Sequence, residues 1–184
     1  ICRKLVRRKT LILAYHGFEI LNETAFRKRL FIKKSTFKER LDYLASRCSV
    51  IPLKNVREIS DINNKVVITI DDGWDTIRTV AAACLNDKGF PYTVYLTTQN
   101  VLDNEPIFHI ALDYILTNRI GYVLKLEVNS RKIDVVISAE NKSNLMSEIV
   151  QLKAQNNDTH LLKVISEKLN FDFEINKNKY KLKN

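Results

Sequence analysis

The run Lys65-Val66-Val67-Ile68-Thr69-Ile70 constrains this chain most, and it leads straight into Asp71-Asp72-Gly73. Its β-branched residues make it the clearest strand of the chain. In α/β proteins such a strand lies between layers of helix. Its end then sets two carboxylates and a flexible turn at the edge of the core.

The flanking segments supply those layers. Thr10 to Tyr15 reads as another short buried strand, followed by Gly17 and a polar loop to about Lys34. Thr36 with Glu39 has the form of a capping box, and Phe37, Leu41 and Leu44 continue at helical spacing to about Arg47. Val50 to Leu53 reads as a brief strand and Lys54 to Ile59 as a helical turn. A helix from about Asp75 to Lys88 places Gly89 just past its end, and Pro91 introduces a strand from Tyr92 to Thr97. This alternation predicts a parallel sheet or barrel. The pattern changes after Pro106, which divides the chain into 1–105 and 106–184. Ile107 to Thr117 reads as a helix. Tyr122 to Val128 and Lys132 to Ile137 alternate around Asn129-Ser130 as a hairpin does. Leu145, Ile149 and Leu152 mark one more helix, and Leu161, Leu162, Ile165 and Leu169 another. The Lys/Asn-rich tail from Asn176 reads as frayed or as a linker.

Charge and cysteines restrict the function classes. The formal net charge is +9 over 184 residues, with basic clusters at Arg3 to Lys9 and Lys177 to Lys183. No basic run is interleaved with stacking aromatics, so the lysines read as a solvated coat and no specific nucleic-acid partner is expected. Cys2, Cys48 and Cys84 form neither a CxxC pair nor an even disulfide framework. No stretch is long and apolar enough to span a bilayer. Leu11 to Tyr15 after the basic start is too short for a signal peptide.

In a parallel α/β fold, reacting groups stand at the C-terminal ends of strands. Three strand ends carry polar groups here: Tyr15-His16-Gly17, Asp71-Asp72-Gly73 and Thr97-Thr98. Adjacent carboxylates repel when both are ionised, and a cation relieves that repulsion while Gly73 lets the backbone turn beside it. One aspartate can hold a metal while its neighbour takes a proton from the metal-bound water. The plainer alternative makes Asp72 or Asp75 the cap of the following helix. His16 is open between a site role and a core role. Trp74 is open between a sugar-stacking platform and a cover over the rim. His109 and His160 read as core or surface residues and are not expected to share a metal with Asp72.

These residues resemble the polysaccharide deacetylase family, also called the NodB-homology or carbohydrate esterase family 4 domain. Thr69-Ile70-Asp71-Asp72-Gly73 resembles its Thr-Phe-Asp-Asp-Gly signature, with Ile70 for Phe. Gly89-Phe90-Pro91-Tyr92-Thr93-Val94-Tyr95 resembles the family's following strand, and Tyr15-His16 the opening of one branch. The match covers roughly residues 10 to 120. The resemblance implies a partial (β/α) barrel of the deacetylase type, with the segment from Pro106 as an insertion. It implies hydrolysis of N-acetyl groups on an amino-sugar polymer, with Asp71 as catalytic base and Asp72 as metal ligand. His16, Gly73, Trp74 and Thr98 would support the site. The implied metal is a divalent ion, zinc above all and sometimes cobalt, and the family is often associated with the cell envelope. The chain departs from the family in lacking its His-Ser/Thr-x-x-His-Pro ligand motif and the later catalytic residues. The metal site is therefore expected to be incomplete here, and the chain to be a fragment lacking its C-terminal half, a truncated product or a degenerate relative. A non-catalytic remnant that binds carbohydrate or a protein is the competing reading, and a glycosidase using Asp71 ranks below both.

Overall fold

The computed structural model describes residues 10–19, 27–58, 63–98, 102, 106–156 and 160–172. Both basic end clusters, Cys2 and the tail from Asn176 lie outside the described residues. The described residues fall into two compact units, one up to residue 102 and the other from residue 106.

The first unit is built on a parallel sheet. Strands β1 (Leu11–Tyr15) and β5 (Lys65–Ile70) pair along their whole length, Leu11 opposite Val66 and Tyr15 opposite Ile70. The other edge of β5 is shared. Strand β4 (Ser49–Val50) pairs near its start and β6 (Thr93–Val94) near its end, both parallel. Residues 66 to 70 are all buried, as expected for a strand covered on both faces. The four strands form an open sheet, and among the described residues nothing closes it into a barrel.

A second, smaller parallel pair falls where the sequence predicts a polar loop. Strand β2 (Gly17–Glu19) lies beside β3 (Phe31–Lys33), Gly17 opposite Phe31. Three-residue strands carry too little periodicity to be read locally. Only the burial of Phe18 and Phe31 against the rest of the unit makes them strands. Helix α1 (Lys34–Arg47) follows β3 without a break and buries Phe37, Leu41 and Leu44. The expected capping box does not form. Lys33 is the N-cap, without a side-chain hydrogen bond, and Thr36 and Glu39 lie inside the helix. The β2–β3 pairing delivers the chain to the helix three residues early, so tertiary context overrides the local signal. Phe37 is the centre of an aromatic cluster, 5.1 Å from Tyr15 and 4.6 Å from Phe18.

Helix α2 spans residues 75–87, with a π-helical segment Ile77–Ala81 before its α-helical part Ala82–Asp87. Its end matches expectation. Gly89 adopts φ 64°, and the N–H groups of Gly89 and Phe90 donate to the carbonyls of Asn86 and Leu85, which is a Schellman motif.

The second unit packs three helices with a hairpin. Strands β7 (Val123–Val128) and β8 (Arg131–Val136) are antiparallel, with Asn129 and Ser130 both at positive φ, as a two-residue I′ turn requires. Leu124, Leu126 and Ile133 point inward with the core faces of α3 (Phe108–Thr117), α4 (Lys142–Asn156) and α5 (Leu161–Lys168). Lys142 donates to Asp113 at 2.7 Å and to Thr117 at 2.8 Å, which neutralises a buried carboxylate. Arg119 lies over the rings of Tyr122 and Phe171 and donates to the carbonyls of Leu169 and Asn170, closing the end of α5. No helix among the described residues is long and apolar enough to cross a membrane.

Candidate functional site

The register of β1 against β5 positions the site. Tyr15 lies opposite Ile70, so the next residues, His16 and Asp71, leave the sheet side by side. The Asp71 N–H donates to the Tyr15 carbonyl at 2.8 Å, which extends the ladder by one residue. His16 Nε2 then stands 3.8 Å from Asp71 Oδ2, with the two side chains 38% and 32% exposed. That separation suits an ion pair when the imidazole is protonated, and it leaves both groups open to water.

The backbone turns sharply at the next two residues. Asp72 adopts φ 71° and Gly73 φ 77°, and the Gly73 N–H closes back on the Asp71 carbonyl at 3.0 Å. Glycine suits this position, both for its φ and because an added Cβ would lie 2.6 Å from Leu96 Cδ2. The Asp72 carboxylate accepts the indole N–H of Trp74 at 3.3 Å, so the capping alternative for Asp72 does not describe this side chain. Trp74 itself is 3% exposed and packs edge-on against Phe31 at 5.1 Å between centroids. A buried indole presents no face to a sugar, and its place here is as cover over the rim and hydrogen-bond donor to Asp72. The Phe18 N–H donates to Thr76 Oγ1 at 3.1 Å, which ties β2 to the first turn of α2.

Thr98 is placed differently from the other expected site residues. The Tyr95 N–H donates to the Ile70 carbonyl, so the chain after β6 emerges at the same end of the sheet. Thr98 lies three residues further on, exposed and without a hydrogen bond to either aspartate. His109 and His160 belong to the second unit, the first exposed on α3 and the second at the N-cap of α5.

The donor set was compared with what zinc requires. A tightly held zinc ion takes at least three protein ligands. Among the described residues no group of three His, Cys, Asp or Glu side chains is arranged to hold a metal. Asp72 and His16 therefore do not make a complete set, and no chemical step is drawn through an ion. Without one, Asp71 can accept a proton from water, and a protonated His16 beside it can offset its charge. Sequence reasoning missed a cavity of about 500 Å³ between β1, β3 and α1, which His16 also lines. The local hint was the apolar run Leu30-Phe31-Ile32 between basic residues.

No protein-family model matches the sequence, and no curated protein does. Solved structures with a similar backbone include a polysaccharide deacetylase from Bacillus cereus, at 21% identity and a TM-score of 0.44, covering 51% of this chain and 31% of that one. Streptococcus pyogenes deacetylase PplD, in complex with acetate, is similar at 20% identity and a TM-score of 0.43, covering 49% of this chain and 43% of that one. IcaB from Ammonifex degensii is similar at 15% identity and a TM-score of 0.46, covering 89% of this chain and 82% of that one. The chain thus spans less than a third of the length of the Bacillus cereus protein. At these identities and scores the likeness concerns the course of the backbone alone.

Proposed function

We propose that residues 10–98 carry the acid–base part of a hydrolase site that removes acetyl groups from amino-sugar polymers. Asp71 is the general base, Asp72 the residue that holds a divalent ion, and His16 the group that steadies the charge on Asp71. The observation that carries this reading is the arrival of His16 and Asp71 together, 3.8 Å apart, at the common end of two parallel strands. The Asp-Asp-Gly turn and its Trp74 hydrogen bond support it by fixing Asp72 apart from Asp71. The two carboxylates then have distinct environments, as a division of labour between ligand and base requires.

Trp74 is the chain's single tryptophan and touches Asp72, so its fluorescence reports on this site. Titration with cobalt is expected to quench Trp74 weakly, saturating only at high metal because a two-donor set holds an ion loosely. Asp72→Asn should remove the quenching and Asp71→Asn should retain it. Acetate release from an acetylated chito-oligosaccharide, measured with millimolar zinc or cobalt, should be low but should exceed that of Asp71→Asn. Equal rates in the two proteins, or quenching unchanged by Asp72→Asn, would defeat the reading.

A further inference from the structure

The cavity beside His16 is lined by Lys28, Arg29, Lys33 and Arg40, against a single carboxylate, that of Glu19. All four side chains are exposed, and they come to this space from three places: the turn before β3, the end of β3 and the second turn of α1. The fold brings them together through the β2–β3 pairing, which sets Phe31 opposite Gly17 and so draws Lys28 to Lys33 alongside His16. The first turn of α1, with no acidic residue, adds a partial positive charge at the same wall. Like charges held near one another raise the energy of the empty cavity, and an anion lowers it.

We propose that this cavity binds a phosphate group carried by the sugar polymer. The assignment to a polymer rests on the hydrolase reading above, because His16 is shared between the cavity and the Asp71 site. The choice of phosphate follows from the cations. Two guanidinium groups, Arg29 and Arg40, present planar forks that suit an oxyanion with several acceptor oxygens. The excess of three positive charges over Glu19 exceeds what one sugar carboxylate would balance and is better met by a phosphate dianion. The volume falls within the range of small-ligand sites and accommodates a sugar phosphate rather than a bare ion. The site thereby selects for a modified polymer: a phosphate seated among these cations places the neighbouring sugar at the strand ends where Asp71 stands.

The test is direct binding, by isothermal titration without added metal, of N-acetylglucosamine 6-phosphate, inorganic phosphate, glucuronate, N-acetylglucosamine and a short single-stranded RNA. N-acetylglucosamine 6-phosphate is expected to bind at least about tenfold more tightly than the neutral sugar, with affinity falling as salt rises. Arg29→Gln and Lys33→Gln, both at exposed positions, should each weaken it by about fivefold. The charge-keeping Arg29→Lys should weaken it less than Arg29→Gln. Retained affinity in the Arg29→Gln/Lys33→Gln double variant would overturn the proposal, as would equal binding of the neutral sugar. Glucuronate binding as tightly as the sugar phosphate would overturn the choice of phosphate, and tighter RNA binding would overturn the choice of a sugar polymer. Because no metal is present, this result stands apart from the Trp74 titration, and either reading can fail without the other.

Discussion

Replacing Gly17 by alanine is expected to disturb the candidate site through a chain of three aromatic and polar contacts. A Cβ on Gly17 would lie 2.1 Å from both Cδ1 and Cε1 of Phe31, far inside van der Waals contact. The ring would have to retreat by about 1.5 Å to reach ordinary packing distance. Its movement is restricted, because Phe31 is 6% exposed, its backbone is paired with Gly17 and its ring packs edge-on against Trp74. Trp74 in turn holds Asp72. Overpacking of a filled core destabilises by about 1–3 kcal/mol, and a rigid ring already packed against Trp74 argues for the upper half of that range. Gly89→Ala provides the comparison. Gly89 has φ 64° and nothing within 4 Å of an added Cβ, so only the left-handed backbone opposes the change, by about 1–2 kcal/mol. Urea unfolding followed by Trp74 fluorescence and by circular dichroism reads both quantities. Gly17→Ala should lower stability more than Gly89→Ala and should also alter native Trp74 emission, which Gly89→Ala should leave alone. A Gly17→Ala protein within about 0.5 kcal/mol of wild type, with unchanged emission, would refute the contact chain.

Two further outcomes follow from buried polar groups. Lys142→Met should destabilise the second unit by about 3 kcal/mol, since it leaves the Asp113 carboxylate, 8% exposed, without its 2.7 Å partner. The added change Asp113→Leu should recover most of that loss in a thermal melt, and a single variant as stable as wild type would contradict the pairing. Burial raises the pKa of Tyr15 above its ordinary value near 10, and the hydrogen bond and charge of Arg40 only partly offset this. The folded chain therefore holds that proton more tightly than the unfolded chain. This contribution is full below pH 10 and declines as pH rises through the folded value. Melting temperatures measured above pH 10 should fall more steeply for wild type than for Tyr15→Phe, and parallel curves would remove Tyr15 from the account.

The parts of this fold legible in the sequence are those that local chemistry determines. The β-branched run Lys65–Ile70, the Schellman end at Gly89 and the Asn129-Ser130 turn each carry their own signal within a few residues. The parts that were not legible depend on residues distant in the chain. The β2–β3 pair exists because Gly17 admits the Phe31 ring, a fact about two positions distant in the chain. The same pairing moved the start of α1 ahead of its apparent capping box and gathered the cations of the cavity. For the site, strand ends suggested that His16 and the aspartates share one rim, and the β1–β5 register brings His16 and Asp71 together. The hydrogen bond from Trp74 to Asp72 was not foreseeable, because neither the left-handed turn nor the burial of the indole has a sequence signature.

That left-handed turn is the best measure of how far Asp72 departs from an ordinary loop residue. A non-glycine residue at φ 71° costs about 1–2 kcal/mol relative to the right-handed region. Aspartate tolerates this conformation when its carboxylate bonds to nearby backbone, which is the usual local compensation. Asp72 makes no such bond and is held instead by an indole N–H that belongs to the covering Trp74. The strain is thus met by a side chain that itself depends on Phe31 and Gly17 for its position. A turn needed only to change the direction of the chain has no use for this arrangement, since a second glycine at position 72 would relieve the strain and release Trp74. Keeping a carboxylate there fixes a negative charge beside Asp71 at the edge of the sheet, where its repulsion is unfavourable unless a cation or a proton answers it. Within the first unit, Asp72 is where a left-handed backbone and a carboxylate adjacent to a second carboxylate coincide.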